Sequence, residues 1–264
     1  MRPNSISIVI PFFNEEKSIP TFLASLSEMI TEANGIYEVI FIDNGSNDAS
    51  NEYVSEFIEN FKPYPEDRKF LLLSEFERGK GRAVRKGIQN SSGDFVVIVD
   101  ADNEYDLKDI HRLLRVMVDQ KADLVLGSRH SDIPMRKIPN QPIMSWYFNG
   151  GHIIFTSYFN YLFKTQLTDP ATMWKLMRGD LVRNFKLTGN SFNLDFELVA
   201  GFVKLNGVIR ETPVSYSARS KKDGKKIKLF LDPLIWIFSF WKYALRSPNG
   251  FIIKASARKG GLLE

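Results

Sequence analysis

Short apolar runs alternate along the first half of the chain with longer stretches whose apolar residues recur at helical spacing. SISIVIP (5–11) is nearly continuous in apolar character and predicts a buried strand, and EKSIPTFLASLSEMITEA behind it predicts a helix. YEVIFID (37–43) is a second strand, and NGSNDAS after it is a polar loop that opens a helix at about Asp48. The pattern repeats: KFLLLS, GKGRAVRKGIQN, DFVVIVD, LKDIHRLLRVMVDQ and ADLVLGS read as strand, helix, strand, helix and strand, and VIRETPVSY is a later strand. Strands that are apolar throughout belong to sheets covered on both faces. The alternation predicts an α/β fold with an open, mostly parallel sheet and helices on both sides.

The chain has 264 residues, 44% hydrophobic, enough for one large domain or a domain with a subdomain. It has no cysteine, which excludes disulfides, thiolate metal sites and cysteine nucleophiles. His111, His130 and His152 lack ligand spacing, so a metal here would take oxygen ligands, as Mg²⁺ or Mn²⁺ does. A net charge of +4 gives no indication of nucleic acid. MRPNSISIVIP has neither the apolar core of a signal peptide nor the make-up of a transit peptide, and predicts a cytoplasmic location.

In an open sheet of this kind ligands bind at the carboxyl ends of the strands. DFVVIVDADNEYD ends its strand in four carboxylates, Asp100, Asp102, Glu104 and Asp106. In an extended continuation Asp100, Asp102 and Glu104 share one face, where they repel unless a cation sits among them. Read alone, the cluster is equally an acidic loop capping the next helix. Its place at a strand end favours a divalent cation shared with a diphosphate. Gly79-Lys80-Gly81 places a cation where a loop enters a helix, a setting that suits anions, or it is simply a flexible turn. Asp43, ending the second strand, is either a contact for base or ribose or a turn aspartate.

IVIPFFNEEKSI, VIFIDNGSNDAS, GKGRAVRKGIQNSSGDFVVIVDAD and LVLGSR, in that order, resemble the nucleotide-sugar domain of family-2 glycosyltransferases of GT-A fold. LTDPATMWKLMRGDLV and FNLDFELVAGFVKLNGVIRETPVSYSARS resemble the dolichyl- and polyprenyl-phosphate mannose (glycosyl) synthase branch. The resemblance implies donor contacts from Pro11, Phe13, Glu15, Asp43, Lys80 and the Asp100-Ala101-Asp102 segment. It implies a metal, Mg²⁺ or Mn²⁺, on Asp102 with Asp100 beside it, and inversion at the sugar C1. Glu104 joins the metal set but stands where that branch usually has Gln, and Asn44 stands where many relatives have a second Asp.

The acceptor separates two readings. A sugar hydroxyl needs a general base, whereas a lipid phosphate arrives ionised and needs only positioning. Arg129 resembles a phosphate-contacting arginine, and SARSKKDGKKIK, with Arg219, Lys225 and Lys226, is either a solvated loop or a second phosphate contact. Asp195 and Glu197 in FNLDFELV are candidates for a base, a sugar contact or helix-start charges, with Glu197 the catalytic candidate; Asp169 is a sugar contact or a turn residue. Residues 138–163 carry no charge and many aromatics, and 229–246 has an apolar aromatic core with basic ends; both suit a membrane interface or core packing better than a span.

The predicted organisation is a catalytic domain over 1–228, with a nucleotide-sugar half to about 130 and an acceptor half after it, and an interfacial helix with a basic tail over 229–264. The predicted activity is transfer from a nucleoside-diphosphate sugar to a polyprenyl phosphate, by a protein peripheral to the inner face of the membrane. Transfer to a glycan hydroxyl and non-catalytic nucleotide-sugar binding are the alternatives.

Overall fold

The computed structural model describes residues 5–32, 35–61, 68–130, 142–217 and 231–253. Its strands are β1 Ser5–Phe12, β2 Ile36–Asp43, β3 Arg68–Ser74, β4 Phe95–Ile98, β5 Leu124–Ser128, β6 Lys175–Arg178 and β7 Ile209–Pro213. They form one sheet in the order β3-β2-β1-β4-β6-β5-β7. All neighbours are parallel except β6, which runs antiparallel to both β4 and β5. The helices are α1 Ile19–Glu32, α2 Ser50–Asn60, α3 Lys80–Gln89, α4 Asp109–Asp119, α5 Pro142–Phe163, α6 Gly179–Val182, α7 Asn193–Lys204 and α8 Leu231–Leu245.

The strands read as continuous apolar runs because the sheet is buried on both faces. Ile6, Ile8, Ile10 and Phe12 of β1 point into a core shared with α1, α2 and α4, while Val9 points into a second core built with α3, α5, α7 and α8. Helix α3 lies so close to the sheet that a Cβ on Gly87 would sit 2.4 Å from a methyl of Val9, which only glycine avoids.

Strand β6 is what the apolar pattern did not announce. Its first residue, Lys175, pairs with Ile98 on β4 and Leu126 on β5, so a strand beginning, not an end, lies at the carboxyl edge of its neighbours. Helix α8, set apart in the sequence reading, is packed into the second core: Phe240 and Tyr243 are fully buried, and Trp236 meets Phe155 of α5 edge to face at 5.5 Å. The outward residues of this helix pair stay exposed, Trp146, Ile154 and Tyr161 on α5 and Phe238, Trp241 and Leu245 on α8. Among the described residues no helix is long and apolar enough to cross a membrane.

Candidate active site

The parallel strands deliver their polar termini to one edge. β4 keeps step with β1 as far as Val99, whose N–H donates to the Val9 carbonyl at 3.0 Å, and then the chain turns. Oδ1 of Asp102 accepts the Glu104 N–H at 3.1 Å, and Asn103 is left-handed at φ 57, with its side-chain amide donating to the Ser18 carbonyl at 2.8 Å.

This turn overturns the expectation that Asp100, Asp102 and Glu104 share a face, because period-2 alternation ends where the extended backbone ends. Glu104 instead accepts a hydrogen bond from Tyr216 Oη at 2.7 Å, and among the described residues no group of three acidic or imidazole side chains is arranged to hold a metal. Asp100 and Asp102 remain together at the strand end with buried Ala101 between them. Two carboxylates fit the habit of Mg²⁺, which takes one or two and completes its shell with phosphate oxygens and water.

Helix α3 brings Lys80 to this point. Its ammonium lies 2.6 Å from Oδ1 of Asp100 and packs over the ring of Phe192 at 5.3 Å. Burial works against the charged lysine, but Asp100, Asp195 and Asp102 together outweigh it and raise its pKa. Asp195, in the first turn of α7, is buried and is pushed upward by that burial against the pull of Lys175 and Lys80. Lys175 is wholly buried, 3.8 Å from Asp195, and burial lowers its pKa.

On the β5 side Arg129 makes a two-pronged pair with Asp169, Nε to Oδ2 at 2.6 Å and Nη2 to Oδ1 at 2.7 Å. Burial alone would raise the Asp169 pKa, but Arg129 drives it well below the carboxylate range. Tyr216 lies under the Arg129 guanidinium at 5.4 Å, and Tyr105 stacks on Trp174 at 5.2 Å, its hydroxyl pushed up to about 12 mainly by burial. Tyr216 touches both Glu104 and Arg129, which ties the β4 turn to the β5 end.

The remaining sequence candidates fall in three groups. Pro11 is buried within β1, Phe13 lies under the guanidinium of Arg78 at 4.9 Å, and Glu15 accepts from Ser18 Oγ at 2.6 Å. Asp43 accepts the Ser46 N–H at 2.9 Å and the Asn51 amide at 3.0 Å, holding the turn beyond β2. Arg219, Lys225 and Lys226 lie outside the described residues.

Glu197 is placed differently from its expectation as a catalytic group. It is wholly buried, and its carboxylate accepts from Thr188 and Gly189 N–H groups and from Arg246 at 2.6 Å. The α7 carboxylate that interacts with Lys80 and Asp100 is Asp195. Sequence reasoning passed over Lys175 and Tyr216 as site residues. The signal for Lys175 was present in MWKLM, a lone cation inside an apolar strand.

The sequence profile described as Glycosyl transferase family 2 matches residues 7–184, which hold β2 through β6, β1 from Ser7 onward, and all of these strand ends except that of β7. The chain belongs to glycosyl transferase family 2. This glycosyltransferase is 29% identical over 239 residues to a dolichyl-phosphate beta-glucosyltransferase of Dictyostelium discoideum, covering 85% of this chain and 69% of that protein. It is 25% identical over 256 residues to the dodecaprenyl-phosphate galacturonate synthase of Rhizobium johnstonii, covering 93% and 70% of the two. Among solved structures it resembles Mycobacterium tuberculosis glucosyl-3-phosphoglycerate synthase, with a TM-score of 0.66 at 17% identity over 91% of this chain and 81% of that one. A crystal structure of that enzyme with Mn²⁺, uridine diphosphate and phosphoglyceric acid gives a TM-score of 0.65, also at 17% identity, over 91% and 78% of the chains. At that identity the likeness is one of fold, and the glycosyltransferase has the GT-A architecture.

Proposed function

We propose that this glycosyltransferase moves a sugar, with inversion, from a nucleoside-diphosphate sugar to a polyprenyl phosphate at a membrane surface. The observation that supports this reading is the division of charge along the strand edge. Asp100 and Asp102 stand at the β4 end, while Arg129, half-buried and paired with Asp169, and the wholly buried Lys175 are cations at the β5 and β6 positions beside it. Two carboxylates suit a donor whose diphosphate shares a divalent cation, and fixed cations suit an acceptor that is itself an anion.

In this reading Asp100 and Asp102 would hold Mg²⁺ or Mn²⁺, which when bound would supply positive charge to the leaving nucleoside diphosphate. Lys80 adds positive charge at the same place. Pro11, Phe13, Glu15 and Asp43 border the nucleoside end. Arg129, locked by Asp169, and Lys175 orient the acceptor phosphate, whose oxygen attacks C1 without losing a proton. The exposed apolar faces of α5 and α8 supply the membrane contact, and the two polyprenyl-phosphate relatives support the acceptor class.

Asp195 favours a second reading. A buried carboxyl with a raised pKa, set between two lysines, is suited to act as a general base on a glycan hydroxyl. One experiment separates the two: a panel of nucleoside-diphosphate sugars with Mn²⁺, offered either polyprenyl phosphate or a soluble glycan, using wild type and Asp195→Asn. Glycosylated polyprenyl phosphate by mass analysis, formed by Asp195→Asn at a rate within about tenfold of wild type, is the expected result. Product on the glycan alone, lost by the roughly 10²–10⁴-fold that removal of a base costs, overturns it.

A further inference from the structure

Asn44 follows the last residue of β2 and is buried, yet it lies outside the groups assigned above to donor, metal or acceptor. Its side-chain amide donates to the carbonyls of Glu75 and Glu77, at 3.2 and 3.0 Å, and its Oδ1 accepts the N–H of Gly79 at 2.8 Å. The amide therefore uses both donors and its acceptor on three backbone positions of one short loop. Two carbonyls require the NH₂ end and an N–H requires the oxygen, so the neighbours fix its orientation. The β2 end adds backbone bonds: Asn44 N–H to the Phe12 carbonyl at 2.9 Å and Glu75 N–H to the Asp43 carbonyl at 2.7 Å.

The loop so held carries two side chains into the site. Arg78 lies over Phe13, and Lys80, one residue past Gly79, reaches Asp100. Gly79 sits at φ 146, and a Cβ there would lie 2.2 Å from the Asn190 carbonyl oxygen, so the far side of the loop is fixed by contact as the near side is fixed by Asn44. An aspartate at position 44 would keep the Gly79 bond but turn carboxylate oxygens toward two carbonyls, losing both donors and adding repulsion.

We propose that Asn44 is a positioning residue of the donor site, holding segment 75–79 so that Arg78 stacks on Phe13 as a preformed platform for the nucleobase and Lys80 meets Asp100. This rests on the reading of the strand ends as a nucleoside-diphosphate site. Pre-set geometry of this kind removes an ordering cost from binding. Its loss is therefore read in donor affinity before it is read in turnover.

The test is titration calorimetry of uridine and guanosine diphosphates with Mn²⁺ on wild type, Asn44→Asp, Arg78→Ala and the double variant, with thermal melts alongside. Asn44→Asp is expected to weaken binding roughly tenfold at neutral pH, the scale of unmade buried hydrogen bonds, and to raise the donor KM more than it lowers kcat. In the Arg78→Ala background the Asn44→Asp effect should shrink to about twofold, because coupled residues do not add. Full additivity or unchanged affinity in Asn44→Asp overturns the inference. Should Asn44→Asp not fold, Arg78→Ala at its exposed position carries the test, and unchanged affinity there overturns it equally. A wild type that binds neither nucleotide removes the donor reading itself, a result distinct from the others.

Discussion

Arg246, one residue past the end of α8, reaches across to α7 and donates from Nη1 to Oε1 of Glu197 at 2.6 Å. The same carboxylate holds the Thr188 and Gly189 amides, and Arg85 of α3 reaches the Leu187 carbonyl of that loop at 3.2 Å. Gly81 N–H then bonds to the Asn190 carbonyl, so the loop also borders the start of α3. Removing one member of such a pair strands a buried charge at a cost of about 3–5 kcal/mol. Glu197→Ala is therefore expected to lower the melting temperature sharply. The folded fraction should lose far less in kcat than the roughly 10²–10⁴-fold that loss of a base produces. Calorimetric melts beside active-site-normalised rates check this, and a stable but dead variant would restore Glu197 as a catalytic group.

Asp102 and Glu104 are two residues apart and face different partners. Asp102→Asn should lose most turnover, on the order of 10²-fold or more at saturating Mn²⁺, without a change in fold, because in the proposed reading it removes a charge next to the developing diphosphate. Glu104→Gln keeps an acceptor for Tyr216 Oη and should stay within a few fold of wild type. Steady-state rates across a Mn²⁺ titration decide the matter. Greater damage from Glu104→Gln would return Glu104 to the metal shell.

Asp169 links the site to acid stability. Burial pushes its carboxyl up, but Arg129 prevails and holds the folded-state pKa far below the roughly 3.9 of an unfolded aspartate. The unfolded chain thus takes up this proton first as pH falls. The contribution of Asp169 is complete above about pH 4 and is lost progressively below it. Urea midpoints between pH 7 and pH 3 should fall on the acid side. In Asp169→Asn the protein should be weaker throughout, with a shallower acid slope, and an unchanged slope would mean the pair carries no linkage.

Phe238 and Trp241, on the exposed face of α8, are 73% and 51% accessible. The protein is expected to bind liposomes peripherally, more strongly with anionic lipid, less in high salt, and to be released by alkaline carbonate. Phe238→Ser with Trp241→Ser should cut sedimentation with liposomes while leaving the melting temperature within a few degrees. Equal binding by that variant would exclude α8 from the contact.

Most of the sheet was legible in the sequence because a strand covered on both faces is apolar at most positions, as β1 and β2 are, with Ser7 and Glu38 the buried polar exceptions. The polar ends of those strands then marked, by topology alone, the sheet edge at which the site is proposed. Beyond the strand ends the legibility stopped. The left-handed turn at Asn103, which aims Glu104 at Tyr216, depends on a partner more than a hundred residues later. Glu197 and Asp195 sit two positions apart on one helix, and only the packing of α8 decides which of them is sealed by Arg246. Strand β6 was hidden for a similar reason: KLMR is too short to show a period, and its direction is set by β4 and β5.

That reversed strand also bears on the order in which the protein is made. β3, β2, β1 and β4 can pair as soon as residues up to 98 have left the ribosome, but β5 has only β6 and β7 as partners. Until residues 175–178 emerge, β5 has no neighbour and β4 presents an open, apolar edge to the surrounding solution. An edge of that kind is a template for pairing with other chains. Stalling translation between residues 98 and 178 should therefore yield nascent chains that recruit chaperones, and stalling well beyond 213 should yield chains that no longer do.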